Sequence, residues 1–340
     1  MNKHMHKLSA LETPALLTLA LSILCALVVA LGGPELQRTV TEMLIRVVVV
    51  VGLYIFIGNS GLMSFGHVAF MCVGAYGAAW FGVEPEMKAY NLPGLPDWIL
   101  NSSFTHVPAT LVSILLAAAV ALATGLVLMR LSGIAISIAT FALLAVVNVI
   151  YSNWETVTGG TSSVVGIPTH VNVWIALAWA AVALFVAQIY SHSGWGLQLR
   201  ALREESIAAQ ACGVNLYRMA LIAFVLSGAV LGLGGALQAQ FLGVVNPDEF
   251  YLGQSFLYIA MLVVGGAASL TGAVAGVLML STLVECFVHL EQGITVADTL
   301  IRLPGGTQEI ALGLVMIATL ILRPKGWLGH TEWRLGRLFR

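Results

Sequence analysis

The sequence predicts an all-α polytopic membrane protein, a bundle of about ten transmembrane helices with one short amphipathic helix held outside the lipid. Three observations predict it. Hydrophobic residues make up 59% of the 340 and charged residues only 9%, where a soluble domain carries roughly 25% charged residues. The apolar residues gather into runs that approach the ~20 positions a helix needs to cross a bilayer. The polar residues gather just as strongly, above all in 193–213, SGWGLQLRALREESIAAQACG, where Arg200, Arg203, Glu204 and Glu205 crowd together. The net charge of -1 supplies no large basic field, so nucleic acid is excluded as a partner.

Taken in order, residues 1–14 form a polar tail carrying Lys3 and Lys7, and 15–31 is a first span ending at Gly32-Gly33-Pro34. The run 43–57 is rich in β-branched residues, which in water favour strands. In hydrocarbon an open strand leaves its backbone groups unpaired, so a helix is expected there. The third run, 65–81, is lined by Gly66, Gly74 and Gly77 among alanines, which lets neighbouring backbones approach. A Pro-rich loop at 84–106 precedes spans at 107–129 and 134–151, and turn formers fill 153–171 before a span at 174–190. Beyond the polar island, 219–242 carries Gly228 and Gly232 four positions apart, a helix-packing signal. An eighth segment includes 256–264, a ninth is 270–288 with Gly272 and Gly276 at the same spacing, and a tenth is 310–322. The division expected is a tail at 1–14, a membrane domain at 15–322 and a basic tail at 323–340.

Charge sets the orientation. With the N-terminus in the cytoplasm and ten alternating spans, the inner segments hold Lys3, Lys7, Arg130, Arg200, Arg203, Arg218, Arg323, Lys325, Arg334, Arg337 and Arg340. Only Arg38, Arg46, Lys88 and Arg302 fall outside, as the positive-inside rule requires. Both termini and the island are therefore expected in the cytoplasm. There the island either transmits movement from a partner protein or lies along the lipid surface, and Glu204 and Glu205 weaken the second option.

Few residues suggest chemistry. There is no G-x-x-x-x-G-K-[ST] loop, so any ATP that drives this protein is hydrolysed by another chain. No HExxH or paired-cysteine motif suggests a metal. His67 is a pore residue or a packed polar residue, and Glu285, inside the ninth span, is a pathway group or a hydrogen-bonded carboxylate near a helix end. Asn59, Ser60 and Ser64 with Gly58, Gly61 and Gly66 form either a tight turn or a break in helical geometry of the kind that lines transporter paths.

Five segments, in this order, carry a family resemblance: GNSGLMSFGHVAFMCVGAYGAA at 58–79, TGGTSSVVGIP at 158–168, GLQLRALREESIAAQACGVN at 196–215, FVLSGAVLGLGGALQAQFLGVVNPDEF at 224–250 and VVGGAASLTGAVAG at 263–276. Together they resemble the LivM type of permease subunit of branched-chain amino acid ABC importers. The resemblance implies a bacterial inner-membrane permease without a catalytic site, metal or cofactor of its own. It implies a second related permease subunit, two cytoplasmic ATPase subunits that bind ATP and magnesium, and a periplasmic binding protein that delivers leucine, isoleucine or valine. It places the coupling segment at Leu202, Arg203, Glu204, Glu205, Ala208, Ala209 and Gly213. Three alternatives stay open: a urea or short-amide permease on the same scaffold, an ion-coupled secondary transporter using Glu285, and an inert membrane scaffold.

Overall fold

The β-branched run is helical in the computed structural model, which describes residues 2–292, 294–296, 299–301, 304, 306–329 and 331–332. The side chains of Lys3 and Lys7, and Asp298, Arg302, Arg334, Arg337 and Arg340 as a whole, lie outside the described residues. Helix α1 (Asn2–Leu31) turns at Gly32-Gly33 into α2 (Pro34–Leu53), which runs on through a π-turn at Tyr54–Gly58. Next come α3 (Val68–Gly82), the short α4 (Pro85–Asn91) and α5 (Asp97–Leu100), α6 (His106–Leu128), α7 (Ile134–Asn153) and α8 (Glu155–Thr158). Then follow α9 (Val173–His192), α10 (Gly194–Glu204), α11 (Ser206–Ala211), α12 (Leu216–Leu242), α13 (Leu252–Gly265), α14 (Leu270–Gln292) and α15 (Thr307–Leu322).

Seven helices among the described residues are long and apolar enough to cross a membrane: Leu11–Leu31, Pro34–Gly58, His106–Leu128, Ile134–Asn153, Val173–His192, Leu216–Leu242 and Leu270–Glu291. The other three expected spans correspond to α3, α13 and α15, of 15, 14 and 16 residues. At 1.5 Å per residue these are about 21–24 Å long, short of the ~30 Å hydrocarbon core. The reason is local for two of them: irregular backbone at 61–67 precedes α3, and a 3-10 turn at Pro247–Phe250, anchored by buried Pro247 and Phe250, leads into α13.

The bundle is built around α2, α3 and α12. On α6 the small residues Ala109, Ser113, Ala117, Ala121 and Gly125, four apart, are all buried, whereas Leu111, Leu115, Leu122 and Leu126 are exposed. The small stripe meets the glycines of α12: a Cβ on Gly232 would lie 2.3 Å from Ala117 Cβ, and one on Gly228 2.6 Å from Ala121 Cβ. Across α12 the backbones touch α3, since a Cβ on Gly74 would lie 2.1 Å from Gly232 O and one on Gly235 1.9 Å from Met71 O. The turn between α13 and α14 closes in the same way, with a Cβ on Gly276 falling 1.9 Å from Met261 O and one on Gly272 2.6 Å from Gly266 O. Ser227 Oγ donates to Gly52 O at 2.7 Å and locks α12 to α2.

Two ends result. At the capped end, β1 (Val164–Val165) pairs antiparallel with β2 (Val244–Val245), Val164 opposite Val245. A hairpin joins β3 (Ile294–Val296) to β4 (Thr299–Ile301), with Thr295 opposite Leu300. The loop expected at 84–106 is ordered by α4 and α5, and Trp80 Nε1 ties its neighbourhood down by donating to Val157 O at 2.9 Å. The opposite end gathers 58–66, the α6–α7 turn, α10, α11 and the segment after α15, whose Trp327 N donates to Val264 O at 2.9 Å.

Lys88 holds the cap together. It is fully buried, and its Nζ donates to Ile99 O at 3.1 Å and to Ser102 O. Loss of hydration pushes its ammonium from 10.5 down to about 8. Between those two values the unfolded chain keeps a proton that the folded cap has released, so cap stability rises with pH through this window and is lowest below pH 8. Limited proteolysis between residues 84 and 105 is therefore expected to slow from pH 7.5 to about pH 9.5. Faster cleavage at the higher pH, after correction for protease activity, would contradict this.

Candidate functional site

The polar island folds back onto the end of α2. Ser193 caps α10, its Oγ accepting from Gly196 N at 3.2 Å, and Gly196 packs so tightly that a Cβ would lie 2.2 Å from Tyr190 O. The single amphipathic helix expected here is in fact two. Glu205 is extended, with φ -150° and ψ 97°, which ends α10, and its carbonyl then starts α11 by accepting from Ala209 N at 3.1 Å. Gly213 leaves α11 at φ +87°, a left-handed conformation that favours glycine. Asn215 Oδ1 then caps α12 by accepting from Arg218 N at 3.0 Å.

The inward face of the island carries Leu199, Leu202 and Ala209, all buried. Between these anchors, two arginines three positions apart reach the bundle. Arg203 Nη1 donates to Gly58 O at 2.7 Å, and Arg200 Nε donates to Asn59 Oδ1 at 2.8 Å. Asn59 in turn donates from Nδ2 to Ile55 O at 2.9 Å. The last carbonyls of a helix lack intrahelical donors and carry the negative end of its dipole, so a guanidinium is a suitable partner for them. Gly61, at φ +71°, lets the chain pass under Arg203, whose Cγ would be 2.9 Å from any Cβ there. Ser60 Oγ donates to Phe56 O at 2.7 Å and accepts from Leu62 N at 3.1 Å, completing the end of the helix. The outward face is different: Glu204, Glu205, Ala208 and Gln210 are exposed, and Ile207 is 78% exposed.

The structure thus joins two segments that stand apart in the sequence. Asn59 and Ser60 belong with Leu202 and Arg203, and Arg203, itself exposed, bonds its own bundle, while Glu204 and Glu205 are exposed on the island's outer side. Ser64 and His67 lie further in, with Ser64 Oγ 2.6 Å from His67 Nδ1. The imidazole sits in an aromatic box, 5.0 Å from the rings of Phe56 and Phe224 and 5.9 Å from Phe70. Its Nε2 has no hydrogen-bond partner among the described residues. Glu285 is remote from all of these, on α14, where Oε1 accepts from Thr39 Oγ1 at 3.1 Å and lies 3.5 Å from His289 Nε2. No group of three or more His, Cys, Asp or Glu among the described residues could hold a metal ion.

Sequence reasoning named Arg200 in the polar island but left it out of the coupling residues, and it missed the small stripe of α6. The stripe left a signal, five small residues at a spacing of four. The signal for Arg200 was weaker, an arginine beside Leu199 repeated three positions on as Arg203 beside Leu202.

Comparison with known proteins gives this geometry a family. Residues 36–320 match the family described as branched-chain amino acid transport system / permease component. The chain is similar to the high-affinity branched-chain amino acid transport system permease protein LivM of Escherichia coli K12, 26% identical over 329 residues that cover 87% of this chain and 70% of that one. It is 29% identical over 160 residues to the corresponding LivH protein of the same organism, 47% of either chain. It is also similar to the guanosine ABC transporter permease protein NupQ of Bacillus subtilis, 28% identical over 232 residues covering 62% of this chain and 69% of the relative. No solved structure matches. With most of its length inside the family's pattern, the chain belongs to the branched-chain amino acid transport system permease family, whose members are non-catalytic transport subunits.

Proposed function

We propose that this chain is the membrane subunit of an ATP-driven importer of leucine, isoleucine and valine, and that α10 and α11 are its cytoplasmic coupling element. The observation that carries the reading is the arginine clamp: the exposed face of α10–α11 is continuous with Arg200 and Arg203, which bond the end of α2 beside the buried Leu199 and Leu202. A partner that grips Glu204, Glu205, Ile207 and Ala208 thereby grips the central helix of the bundle. Two ATPase subunits, which bind ATP and magnesium, supply the movement; a related permease subunit completes the path and a periplasmic protein delivers the cargo. In this reading α3, α13 and α15 complete ten crossings of a 15–322 permease domain in the bacterial inner membrane, with the 1–14 and 323–340 tails in the cytoplasm. Leu202, Ala209 and Gly213 hold the shape of the element; Gly74, Gly228, Gly232, Gly272 and Gly276 hold the helices together.

The test is the double variant Glu204→Lys/Ile207→Asp, which changes only exposed positions. Co-purification of the ATPase subunits is expected to disappear and leucine uptake to fall tenfold or more, on the scale of losing one interface hot spot. Full retention of the ATPases would contradict the assignment. Cargo is tested by titrating the cognate binding protein with leucine, valine, isoleucine, phenylalanine, urea and guanosine, and a preference for the last two would overturn the amino-acid reading. Uptake by the isolated chain under a sodium or proton gradient alone would overturn the ATP-driven one.

A further inference from the structure

From Val40 onward helix α2 is buried except along one line. From Val40 to Ser60, only Glu42 and Arg46 are not fully buried, and with Glu35 and Thr39 they repeat along a single helical face. All four are polar. Opposite runs α14, antiparallel, presenting Ser281, Glu285 and His289 four positions apart. The two faces are cross-linked at successive levels: Thr39 Oγ1 donates to Glu285 Oε1 at 3.1 Å, and Arg46 Nη1 to Ser281 Oγ at 3.5 Å. Arg46 also pairs with Glu42 on its own helix. Tyr258 of α13, buried beside this ladder, lies within electrostatic reach of both Arg46 and Glu42.

Depth makes this arrangement informative. Arg46 lies twelve residues inside Pro34, about 18 Å along the helix, roughly half-way through a ~30 Å hydrocarbon core. The side chains of Glu42 and Glu285 are nevertheless 36% and 35% exposed, and that of Arg46 15%. Carboxyl and guanidinium side chains within a span do not face lipid; they face water or protein. The ladder starts at the end of α2 that carries Pro34, descends to mid-depth and stops, because every residue from Val47 to Ser60 is buried. An interface with a second subunit has no reason to stop there, whereas a groove that admits a molecule from one side does. The charges also match in kind. A zwitterion carries one carboxylate and one ammonium, so it can exchange partners with the Arg46–Glu42 pair and leave no charge unpaired. Neutral cargo gains nothing from such an exchange.

Resting on the amino-acid import reading, the geometry points to the Thr39–Glu42–Arg46 face of α2 with Ser281 and Glu285 of α14 as the outer groove that receives the head group of an amino-acid zwitterion. Arg46 takes the α-carboxylate and Glu42 the α-ammonium, while Glu285 stays on Thr39 and beside His289.

The experiment uses the assembled transporter with its binding protein in proteoliposomes. Arg46→Gln and Glu42→Gln are each expected to lower leucine uptake tenfold or more, about the worth of one hydrogen bond to a charged group, with Arg46→Lys recovering part of the loss. Thr39→Cys, in a variant lacking Cys286, is expected to react with a membrane-impermeant thiol reagent from outside and to be protected by leucine-loaded binding protein. Uptake within twofold of wild type in both Gln variants, or an unreactive Thr39→Cys, overturns the groove. Loss of the second permease subunit on Arg46→Gln also overturns it, in favour of an interface. If the wild-type complex takes up no amino acid at all, the import reading itself fails; leucine uptake that ignores the variants sinks the groove alone.

Discussion

Arg203→Ala is expected to leave the assembled transporter hydrolysing ATP while lowering leucine uptake tenfold or more. The Arg203 guanidinium donates to Gly58 O at 2.7 Å, at the end of the π-turn that terminates α2. Its removal deletes a charge-assisted bond of about 1.5–3 kcal/mol and leaves a terminal carbonyl without that donor. Arg200 remains on Asn59 Oδ1 at 2.8 Å, so α10 stays docked through that bond and through Leu199 and Leu202. What weakens is the transmission from α10 to α2. Hydrolysis and uptake should therefore separate, and the double variant Arg200→Ala/Arg203→Ala should separate them further. The readout is the number of leucine molecules moved per ATP hydrolysed in proteoliposomes. An unchanged ratio in the double variant would contradict a clamp role for the arginines.

Gly235→Val is expected to abolish the folded bundle. A Cβ at this position would lie 1.9 Å from Met71 O and 2.9 Å from Ala75 N, both backbone atoms of α3. No side chain can rotate away to relieve that contact, so α3 and α12 must separate. Separation would open the contacts of Gly74 with Gly232 and of Gly232 with Ala117 in turn. Overpacking costs about 1–3 kcal/mol where side chains yield, and a backbone obstacle exceeds that range. Gly253→Ala is the control, because nothing lies within 4 Å of its Cβ position. Thermal unfolding followed by size-exclusion chromatography in detergent should show no monodisperse Gly235→Val protein and a Gly253→Ala midpoint within a few degrees of wild type. A wild-type midpoint for Gly235→Val would refute the close approach of α3 and α12.

Much of this fold was legible because lipid removes options. The Val- and Ile-rich run around 47–57 would be ambiguous in water, yet only a helix satisfies its backbone in hydrocarbon. Glycines at a spacing of four on 228–232 and 272–276 likewise fall where backbones meet. The site was harder to read. Arg200 and Asn59 are 141 positions apart, and no local periodicity encodes such a pair. The break at Glu205 was hidden because Arg203-Glu204-Glu205-Ser206 has helical composition on both sides. Glu285 stood out as a lone carboxylate, and only the packing of α2 on α14 supplied Thr39 and identified the helix it faces. The third run is expected at 65–81, but irregular backbone holds 65–67 and α3 begins only at Val68, whereas the tenth is expected at 310–322 and α15 starts three residues earlier, at Thr307.

The central claim is that α10 and α2 move as one body. It is tested by spin-label distances in a variant without native cysteines, with Glu204→Cys paired in turn with Leu36→Cys on α2 and Leu131→Cys in the α6–α7 turn, all exposed positions. Between the nucleotide-free and ATP-trapped transporter, the 204–36 distance should stay within about 2 Å, the scale of local helix adjustment, while the 204–131 distance changes by more. A 204–36 distance that shifts with ATP beside a constant 204–131 distance would contradict the clamp.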